Sequence, residues 1–545
     1  TRIAGVLEDT GSRLETLIVG SGADVAELAG ASLELRIDTA LVTPWLEQTM
    51  GPDATSLTTT DAWVSQLLPA VASYRALEEL GADPESLASV RTIIADALDR
   101  LYARQNPDGG WGWWRGLSNV HLTSYATFGI LRAQAAGFPV RADALNRGLN
   151  YVSQMIDRGL AAELLYPHFA FGLYVLSEAD SPWPQGAAAA LYGARDDLGI
   201  AGRSYLAQAL WRVDSSDPRV MTLVSELRTA AVESGSGVHW EEINREQWVT
   251  PVQATAVVVD ALASVAPEDD RLPQAVRWLM AARDATRWAT AYETAWTITA
   301  MADYLAATGE VGPGYSWSAA VNGVTLYEDE AAEMTPTGGR TIHVDMVGSA
   351  GVPLRPGLNV IEVARGPGAG RLYYTAQLQQ TVPLENAEPE YRGIWITREY
   401  CRVTETSGIS EPRSVCEPVR DLVVGELVDV ELTIIVPQTR YFVLVEDRFS
   451  AGIEPIDPSL YSSVPFGHVP IKGDVDPFVE RNFQSDRVRF FARHLAPGTY
   501  QVAYRVRAAV PGTYHALPAT VSEVYFPEVW GSSGIAALHV MSGTR

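Results

Sequence analysis

The sequence predicts a multidomain protein of α and β class, in which an α/α toroid is inserted in a β-sandwich domain and a second β-sandwich follows. Three observations predict this arrangement. Runs of alternating apolar and polar residues, typical of strands, occupy both ends of the chain. A long Ala- and Leu-rich stretch between them has apolar residues at three- and four-residue steps, as helices do. A turn containing Gly and Trp recurs in front of several of these helices.

The amino-terminal region, residues 1–38, is predicted to be the first part of a β domain. Its clearest strand-like runs are LETLIV at 14–19 and SLELRI at 32–37, both of which alternate apolar and polar residues. After residue 38 the apolar residues recur at helical spacing, so we place the end of this part of the β domain there.

The central region, residues 39–310, is predicted to form the toroid. The turn QNPDGGWGWW at 105–114 precedes a helix near 122, and GVHW at 237–240 precedes a helix near 254. A third turn, RWAT at 287–290, precedes a helix near 294. Repeated helix pairs cannot bury their apolar faces alone and must stack on neighbours, so a closed ring of helices is expected.

The carboxyl-terminal region returns to short strands separated by Gly and Pro turns. We assign residues 311–384 to the second part of the interrupted β domain, because strands then flank the helical insert on both sides. Residues 385–545 are predicted to form a separate β-sandwich, with clear alternation at 428–436, 441–445 and 500–506.

Composition limits the possible partners. The 545 residues, 47% of them hydrophobic, suffice for the cores of roughly three or four domains. A net charge of −25 without a basic stripe argues against nucleic acid as a partner. No run of apolar residues is long enough for a membrane span. The chain opens on Thr1 inside strand-like sequence, so we expect a fragment or processed piece of a longer protein.

The two cysteines, Cys401 and Cys416, lie close together in a β-rich region. Two cysteines are too few for a Cys-rich zinc site, and a disulfide is favoured over two free thiols. A disulfide implies an oxidising, extracytoplasmic location. No metal and no cofactor are expected.

Three motifs follow one another in the carboxyl-terminal region: VEDRFSAGIE at 445–454, DRVRFF at 486–491 and EVYFPEV at 523–529. These motifs and the order of regions resemble the C-terminal third of the bacterial α2-macroglobulin family, whose DxxPAGxE stretch is similar to the first motif. The resemblance covers nearly the whole chain. It implies a CUB-like domain split between 1–38 and 311–384, a thioester-type domain at 39–310, and a terminal macroglobulin-like domain at 385–545.

The resemblance also implies a degenerate thioester site at Trp45, Leu46, Glu47 and Gln48. An internal thioester forms when a Cys thiolate attacks the side-chain amide of a Gln three residues later. Gln48 is present, but Trp45 stands in the position of the cysteine and has no sulfur. The family shelters its thioester with aromatic residues, some from the terminal domain. We therefore expect Trp45 and Tyr525 to form an interdomain lock.

The expected function is that of a C-terminal fragment of a bacterial α2-macroglobulin-like protein that is not an enzyme. It would act as a broad-spectrum endopeptidase inhibitor, in protease trapping or envelope defence, without a covalent thioester. Expected partners are proteases or envelope proteins and the upstream macroglobulin domains of the same chain. The expected location is periplasmic, secreted or at the cell surface, with a lipid anchor upstream of Thr1 as one option.

Two other functions are weighed. The first is a non-inhibitory envelope scaffold, which the sequence barely separates from protease trapping. The second is an α/α-toroid enzyme such as a terpene cyclase, because residues 105–111 fit the Gln-x-x-x-Gly-x-Trp repeat of those enzymes; no Asp-x-Asp-Asp proton donor accompanies it. His121 is expected to cap or pack a helix. His239, Glu241 and Glu242 are expected in a solvated loop.

Overall fold

The computed structural model describes most of the chain. The described residues are 2–7, 9–20, 30–39, 59–79, 84–162, 167–234, 237–283, 288–308, 314–331, 339–348, 351, 353–381, 388–402, 416–456 and 477–543. They divide into two compact units, Thr1–Thr381 and Val382–Arg545. Among the described helices, none is both long and apolar enough to cross a lipid bilayer.

The first unit contains two four-stranded antiparallel sheets. One has the order β1-β10-β3-β8, and the other has the order β2-β9-β6-β7. The strands are β1 (Arg2–Leu7), β2 (Gly11–Val19), β3 (Gly30–Asp38), β6 (Ser316–Val321), β7 (Val324–Glu330), β8 (Arg340–Asp345), β9 (Gly357–Arg365) and β10 (Leu372–Thr381).

Both sheets combine strands from before and after the helical region. In the first sheet β10 lies between β1 and β3, with Ala376 opposite Leu35. Apolar side chains from the inner faces of both sheets, such as Leu35, Trp317 and Ile361, join in one buried core. The two sheets therefore form a sandwich that is interrupted by the helical insert, as expected from the sequence.

The helical insert consists of an inner and an outer set of helices. The inner helices are α1 (Thr60–Glu79), α3 (Val120–Ala135), α5 (Pro167–Glu178), α7 (Gly199–Val213), α9 (Pro251–Val265) and α11 (Ala291–Thr308). The outer helices are α2 (Pro84–Arg104), α4 (Ala142–Ala161), α6 (Ala187–Gly193), α8 (Pro218–Thr229) and α10 (Arg271–Ala281).

The inner helices form a closed ring. Each packs against the next inner helix, and α11 packs against α1. Inner helices such as α3 and α9 are buried on nearly every side, whereas the outer helix α4 buries one apolar face. The α/α toroid predicted from the repeat is confirmed. A short hairpin of β4 (Val232–Ser234) and β5 (Gly237–His239), which the sequence analysis did not predict, lies within the insert.

The recurring Gly/Trp turn has the same hydrogen bonds at three places. Each turn has a tryptophan at most 1% exposed, namely Trp111, Trp240 and Trp288. Its indole Nε1 donates to a leucine carbonyl in the last turn of the preceding outer helix, at 2.7–2.8 Å. Its backbone N–H donates to a threonine Oγ1 in the following inner helix, at 2.9–3.1 Å. The tryptophan therefore ties each outer helix to the next inner helix.

The second unit is a β-sandwich with three sheets. Their orders are β11-β22-β21-β15-β18-β17, β12-β14-β19-β16 and β13-β23-β20. The strands are β11 (Glu390–Arg392), β12 (Trp395–Arg402), β13 (Asp421–Val423), β14 (Leu427–Val436), β15 (Arg440–Arg448), β16 (Ile453–Pro455), β17 (Phe478–Phe483), β18 (Arg487–Leu495), β19 (Gly498–Ala508), β20 (Gly512–Ala516), β21 (Thr520–Glu523), β22 (Phe526–Ser532) and β23 (Ala536–Met541). Their inward side chains share one apolar core.

Candidate functional site

The first unit has an open recess at the amino ends of the inner helices. Its free volume is about 20 Å³, room for about one water molecule, and the recess opens to solvent. Residues from the first turns of α3, α5, α7, α9 and α11 line it, which shows that these helix ends meet at one face of the ring. The lining residues are His121, Pro167, His168, Phe171, Leu198, Ala201, Gly202, Tyr205, Glu242, Gln247, Val249, Gln253 and Tyr292.

Polar side chains cap the helices around the recess. Asn119 Oδ1 accepts a hydrogen bond from Leu122 N at the start of α3, and Thr250 Oγ1 accepts one from Gln253 N at the start of α9. Helix α7 is capped from a distant loop, because Glu242 Oε2 accepts from Ile200 N at 2.7 Å and Ala201 N at 2.9 Å. Backbone N–H groups that begin these helices are thus already paired.

Trp248 packs beside His121, a lining residue, and has a left-handed backbone conformation, with φ of 61°. Its ring lies 4.8 Å from that of His121, 5.1 Å from that of Trp113 and 5.5 Å from that of Tyr292. Backbone hydrogen bonds in both directions between Asn244 and Val249 close the loop that carries it. A bulky residue with positive φ costs about 1–3 kcal/mol, so the surrounding contacts must hold the indole there.

The two histidines of the recess are held neutral. Burial, and secondarily the neighbouring His168, lowers the pKa of His121 to about 3, and burial lowers the pKa of His168 to about 4. His121 Nε2 lies 3.2 Å from Tyr292 Oη, and the two imidazole rings are 5.9 Å apart. At neutral pH neither imidazole adds positive charge to the recess.

Glu242 and Gln253 are two polar acceptors in the lining of the recess. Burial raises the pKa of Glu242, while the N–H groups of Ala201 and Ile200 lower it. The Gln253 side chain is 2% exposed and donates through Nε2 to Tyr205 Oη at 3.3 Å. Its Oε1 is buried and has no hydrogen-bond partner in the described part of the chain. A buried acceptor without a donor is costly, and it marks a place where a ligand could donate.

Comparison with known proteins identifies one domain and several similar proteins. Residues 393–528 match the family described as the bacterial alpha-2-macroglobulin MG10 domain. The alpha-2-macroglobulin homolog of Nostoc sp. is 24% identical over 458 residues, which are 80% of this chain and 23% of that relative. Residues 393–528 therefore correspond to an MG10 domain, and the chain as a whole is similar to bacterial alpha-2-macroglobulins. It spans less than a third of the length of this relative.

Solved alpha-2-macroglobulins share the fold. Native Escherichia coli alpha-2-macroglobulin, in a crystal structure spanning domain MG7 to the C-terminus, matches with a TM-score of 0.69 and 18% identity, over 99% of this chain and 82% of that one. Salmonella alpha-2-macroglobulin reacted with methylamine matches with a TM-score of 0.70 and 17% identity, over 99% of this chain and 34% of that one. These likenesses support the expected succession of toroid and macroglobulin-like sandwich.

The family motif at 445–454 has a structural role in the second unit. Asp447 is fully buried, forms an ion pair with Arg398 and accepts a hydrogen bond from Tyr504 Oη at 2.8 Å. A Cβ added to Gly452 would lie 2.2 Å from the Tyr514 ring, so only glycine fits there. This part of the alpha-2-macroglobulin signature therefore stabilises the sandwich core.

The four residues predicted to form a degenerate thioester motif, Trp45 to Gln48, lie outside the described residues. After this segment, α1 begins at Thr60. There Thr60 N donates to Trp113 O at 3.0 Å, and Thr60 Oγ1 donates to Gly112 O at 2.6 Å.

The remaining predicted site residues lie in the second unit. Tyr525 is 4% exposed and meets the Phe442 ring edge to face, with ring centroids 5.2 Å apart. Phe442 has a positive φ of 53°. The sulfurs of Cys401 and Cys416 are bonded, with the two Cα atoms 5.1 Å apart. Glu399 lies beside this pair, but bonded sulfurs are not thiolates, so the three residues do not form a metal site.

The expectation of a solvated loop at residues 239–242 is wrong for most of it. His239 is buried and stacks on Trp278 with ring centroids 4.5 Å apart, and Trp240 is fully buried. Glu241 alone is largely exposed. The reason is that the loop continues from β5 into the tryptophan turn. The residues beside Trp240 therefore pack between α10 and α9.

Sequence reasoning did not identify most of the recess. His168, Glu242, Gln253 and Tyr292 were not recognised as neighbours, because they come from separate helices and one distant loop. One signal was available: both VHLT at 120–123 and PHFA at 167–170 place a histidine second in an inner helix. Consecutive helices of one ring bring equal positions to the same face.

Proposed function

We propose that the chain is the C-terminal part of a bacterial alpha-2-macroglobulin-like protein that traps proteases without a covalent thioester. The observation that carries the proposal is Trp45 in the position of the thioester cysteine, in a chain that otherwise keeps the family's motifs and fold. The proposed domain bounds remain 1–38 and 311–384 for the CUB-like domain, 39–310 for the thioester-type domain and 385–545 for the macroglobulin-like domain.

The chemistry of thioester formation supports a non-covalent mode of action. The reaction needs a thiolate three residues before the glutamine, and the indole of Trp45 supplies none. Another cysteine cannot replace it, since the chain has two and they are bonded to each other. Gln48 therefore has no nucleophile to react with, and a trapped protease would be held by conformational closure alone.

Trp45 and Tyr525 are proposed to act as an interdomain lock in place of the sheltered thioester. The family resemblance supports this assignment, and an aromatic side chain at each position is suited to a dry contact. Removing a buried tryptophan costs about 3–5 kcal/mol, so Trp45→Ala should lower thermal stability and increase proteolysis between the domains. Unchanged stability and unchanged proteolysis in that variant would exclude the lock.

The proposed setting is extracytoplasmic. The Cys401–Cys416 disulfide supports an oxidising compartment, since such bonds are rare in the cytosol. We propose upstream macroglobulin domains of the same chain, with a lipid anchor there as one option, and proteases or envelope proteins as partners. We also propose that the chain is not an enzyme.

A substrate-size experiment tests the trapping function. Full-length protein is incubated with a broad-specificity endopeptidase, and residual activity is measured on a large protein and on a small chromogenic peptide. Trapping predicts loss of the large-substrate activity while peptide cleavage persists, because the enclosed protease still admits small molecules. Equal activity on both substrates would instead favour the envelope scaffold.

A second experiment tests the absence of a thioester. Intact mass is measured before and after treatment with methylamine, and after heating. The expected result is no methylamine adduct and no cleavage near Gln48. Either change would show a reactive acyl group and contradict the proposal.

A further inference from the structure

One edge strand of the first unit is suited to pair with a further strand. Strand β2 lies at the edge of its sheet and pairs with β9 alone among the described strands. It is nine residues long, contains no proline or lysine and keeps a single register with β9 throughout. Soluble proteins usually interrupt an edge strand with such residues or with a bulge, because its free N–H and C=O groups can pair with another chain. Strand β2 has none of these three interruptions.

The hydrogen bonds of β9 show which residues of β2 have free backbone groups. Gly366 N donates to Ser316 O at 2.7 Å, and Asn322 N donates to Val360 O at 2.7 Å. Even-numbered residues of β9 therefore direct their backbone groups to the β6 side, and odd-numbered residues direct theirs to β2. Odd-numbered residues of β9 lie opposite odd-numbered residues of β2. The residues of β2 that direct N–H and C=O away from β9 are thus Ser12, Leu14, Thr16 and Ile18.

The same alternate residues carry exposed apolar side chains. Leu14 is 65% exposed and Ile18 is 56% exposed, and Ile18 lies opposite Leu358, which is 60% exposed. The inward side chains of β2, Leu17 and Val19, are buried in the sandwich core. Strand β2 therefore combines an unpaired backbone edge with apolar contact area on its outer face, as strands that add to a sheet require.

The charges of β2 indicate that its partner is a second copy of the same strand. Arg13 and Glu15 flank Leu14 in sequence. When two copies of β2 pair in antiparallel direction with Leu14 opposite Leu14, Arg13 of each copy lies opposite Glu15 of the other. Both pairs occupy positions without backbone hydrogen bonds, where opposed side chains are closest and opposite charges are favourable. A register centred on Thr16 would instead place Glu15 opposite Leu17.

The other edge of this sheet, β7, does not allow such self-pairing. It ends in the acidic run Glu328, Asp329 and Glu330, so two copies would bring like charges together. Its register with β6 also shifts between Ala319 and Ala320. Both features are ordinary protection of an edge strand. The self-complementary charges are thus specific to β2.

We propose that β2 pairs in antiparallel direction with β2 of a second copy of this chain, with Leu14 on the two-fold axis. The two sheets would join into one continuous sheet, in an interface that uses the same residues on both sides. A contact made mainly by one strand of each copy is smaller than a standard protein interface, so the dimer is weak and reversible. The pairing does not depend on protease trapping, and its failure would leave that proposal intact.

Cysteine cross-linking tests the register. Leu14→Cys should form a disulfide between two copies under mild oxidation, because opposite Cα atoms of a hydrogen-bonded antiparallel pair lie about 5.5 Å apart. Ile18→Cys is the matched control on the same exposed edge, since its two sulfurs would lie roughly 27 Å apart in this register. Cys401 and Cys416 are bonded to each other and leave no other thiol. Electrophoresis without reductant separates the products.

A charge exchange tests the partner. In sedimentation experiments the parent chain should dimerise reversibly, and Arg13→Glu and Glu15→Arg should each weaken this association about tenfold, because each places like charges opposite one another. An equimolar mixture of the two variants restores both opposite-charge pairs. It should associate about as strongly as the parent, which a merely structural role of the two residues would not produce. Thermal melting confirms that the variants are folded.

Thr16→Pro is an independent variant, needed because Glu15 also accepts a hydrogen bond from Tyr374 Oη at 2.6 Å. Proline removes an N–H that points away from β9, so the sandwich keeps its own pairing while self-association is lost. The proposal is overturned if the parent stays monomeric at every concentration, or if Thr16→Pro associates as the parent does. Equal cross-linking of Leu14→Cys and Ile18→Cys, or a charge-exchange mixture no stronger than its components, would overturn it as well.

Discussion

Single side chains in this protein act mainly by tying elements together. Each of the three turn tryptophans uses both of its donors, one on the outer helix behind it and one on the inner helix ahead. Asp447 likewise joins its own strand, β15, to β12 through Arg398 and to β19 through Tyr504. Loss of such a residue leaves buried polar groups unpaired, which is more damaging than loss of the contact area alone.

Substitution of Trp288 by phenylalanine tests this role. Trp288→Phe leaves the Leu279 carbonyl without its indole donor and opens a small void, so we expect a loss of about 2–4 kcal/mol in unfolding free energy. Trp183→Phe, at a half-buried position, should cost less than about 1 kcal/mol. Urea denaturation followed by circular dichroism measures both. Equal losses would contradict the bracing role.

The recess histidines predict how stability depends on pH. An unfolded histidine binds a proton near its ordinary pKa of 6.5. In the folded state the pKa of His121 is about 3 and that of His168 is about 4. Between these values the unfolded state binds more protons, so stability falls as pH is lowered from about 6.5 toward about 4. His168→Phe should flatten this slope in denaturation series. A slope identical to that of the parent would rule out this contribution.

At the scale of elements, the ring of inner helices depends on how each helix begins. Helix α7 is unusual because its cap comes from Glu242, far along the chain. The close approach is possible because Gly199, at φ 67°, has no side chain where the carboxylate lies. Helix α6 also follows a left-handed glycine, Gly186 at φ 82°, but open space surrounds that residue.

These two glycines form a natural matched pair. Gly199→Ala would place a Cβ 2.1 Å from Glu242 Oε1, in addition to the backbone strain of a positive φ. We expect it to cost about 2–4 kcal/mol, against about 1–2 kcal/mol for Gly186→Ala, which has the strain alone. Thermal melts give the difference. Equal costs would indicate that Glu242 moves aside freely.

At the scale of the whole molecule, the two units differ in how the chain completes them. The first unit closes its sandwich only when strands separated by the entire toroid meet, since β10 lies between β1 and β3. The second unit draws all its strands from one continuous stretch and has a core and a disulfide of its own.

Truncations should distinguish a unit completed by distant strands from a unit formed by one continuous stretch. A chain of residues 385–545 is expected to unfold in one cooperative transition, because its sheets contain no strand from elsewhere. Removal of residues 1–38 deprives β10 of both neighbours and should leave the first unit without a cooperative sandwich transition. Calorimetry of the two fragments and the parent checks both statements. A cooperative transition of the sandwich without residues 1–38 would refute the second.

Local sequence determined much of this architecture. Apolar periodicity identified the helical region and the strands on both sides, because a helix or strand must place its buried side chains at its own repeat. The turn tryptophans indicated a ring, since their spacing marks the repeated unit. The order of regions and the terminal motifs pointed to the family. The proposal that Trp45 replaces a thioester cysteine could be made from the sequence because the thioester motif is contiguous.

Only the tertiary structure shows which residues form the recess. Its walls come from the starts of five helices and from a loop that sequence reasoning had placed in solvent. Periodicity shows which face of a helix is buried, but it does not show which helix ends meet. The neutral histidines, the distant cap by Glu242 and the unpaired oxygen of Gln253 all result from closure of the ring. They depend on contacts between residues far apart in the chain, and such contacts form only when the inner helices pack together.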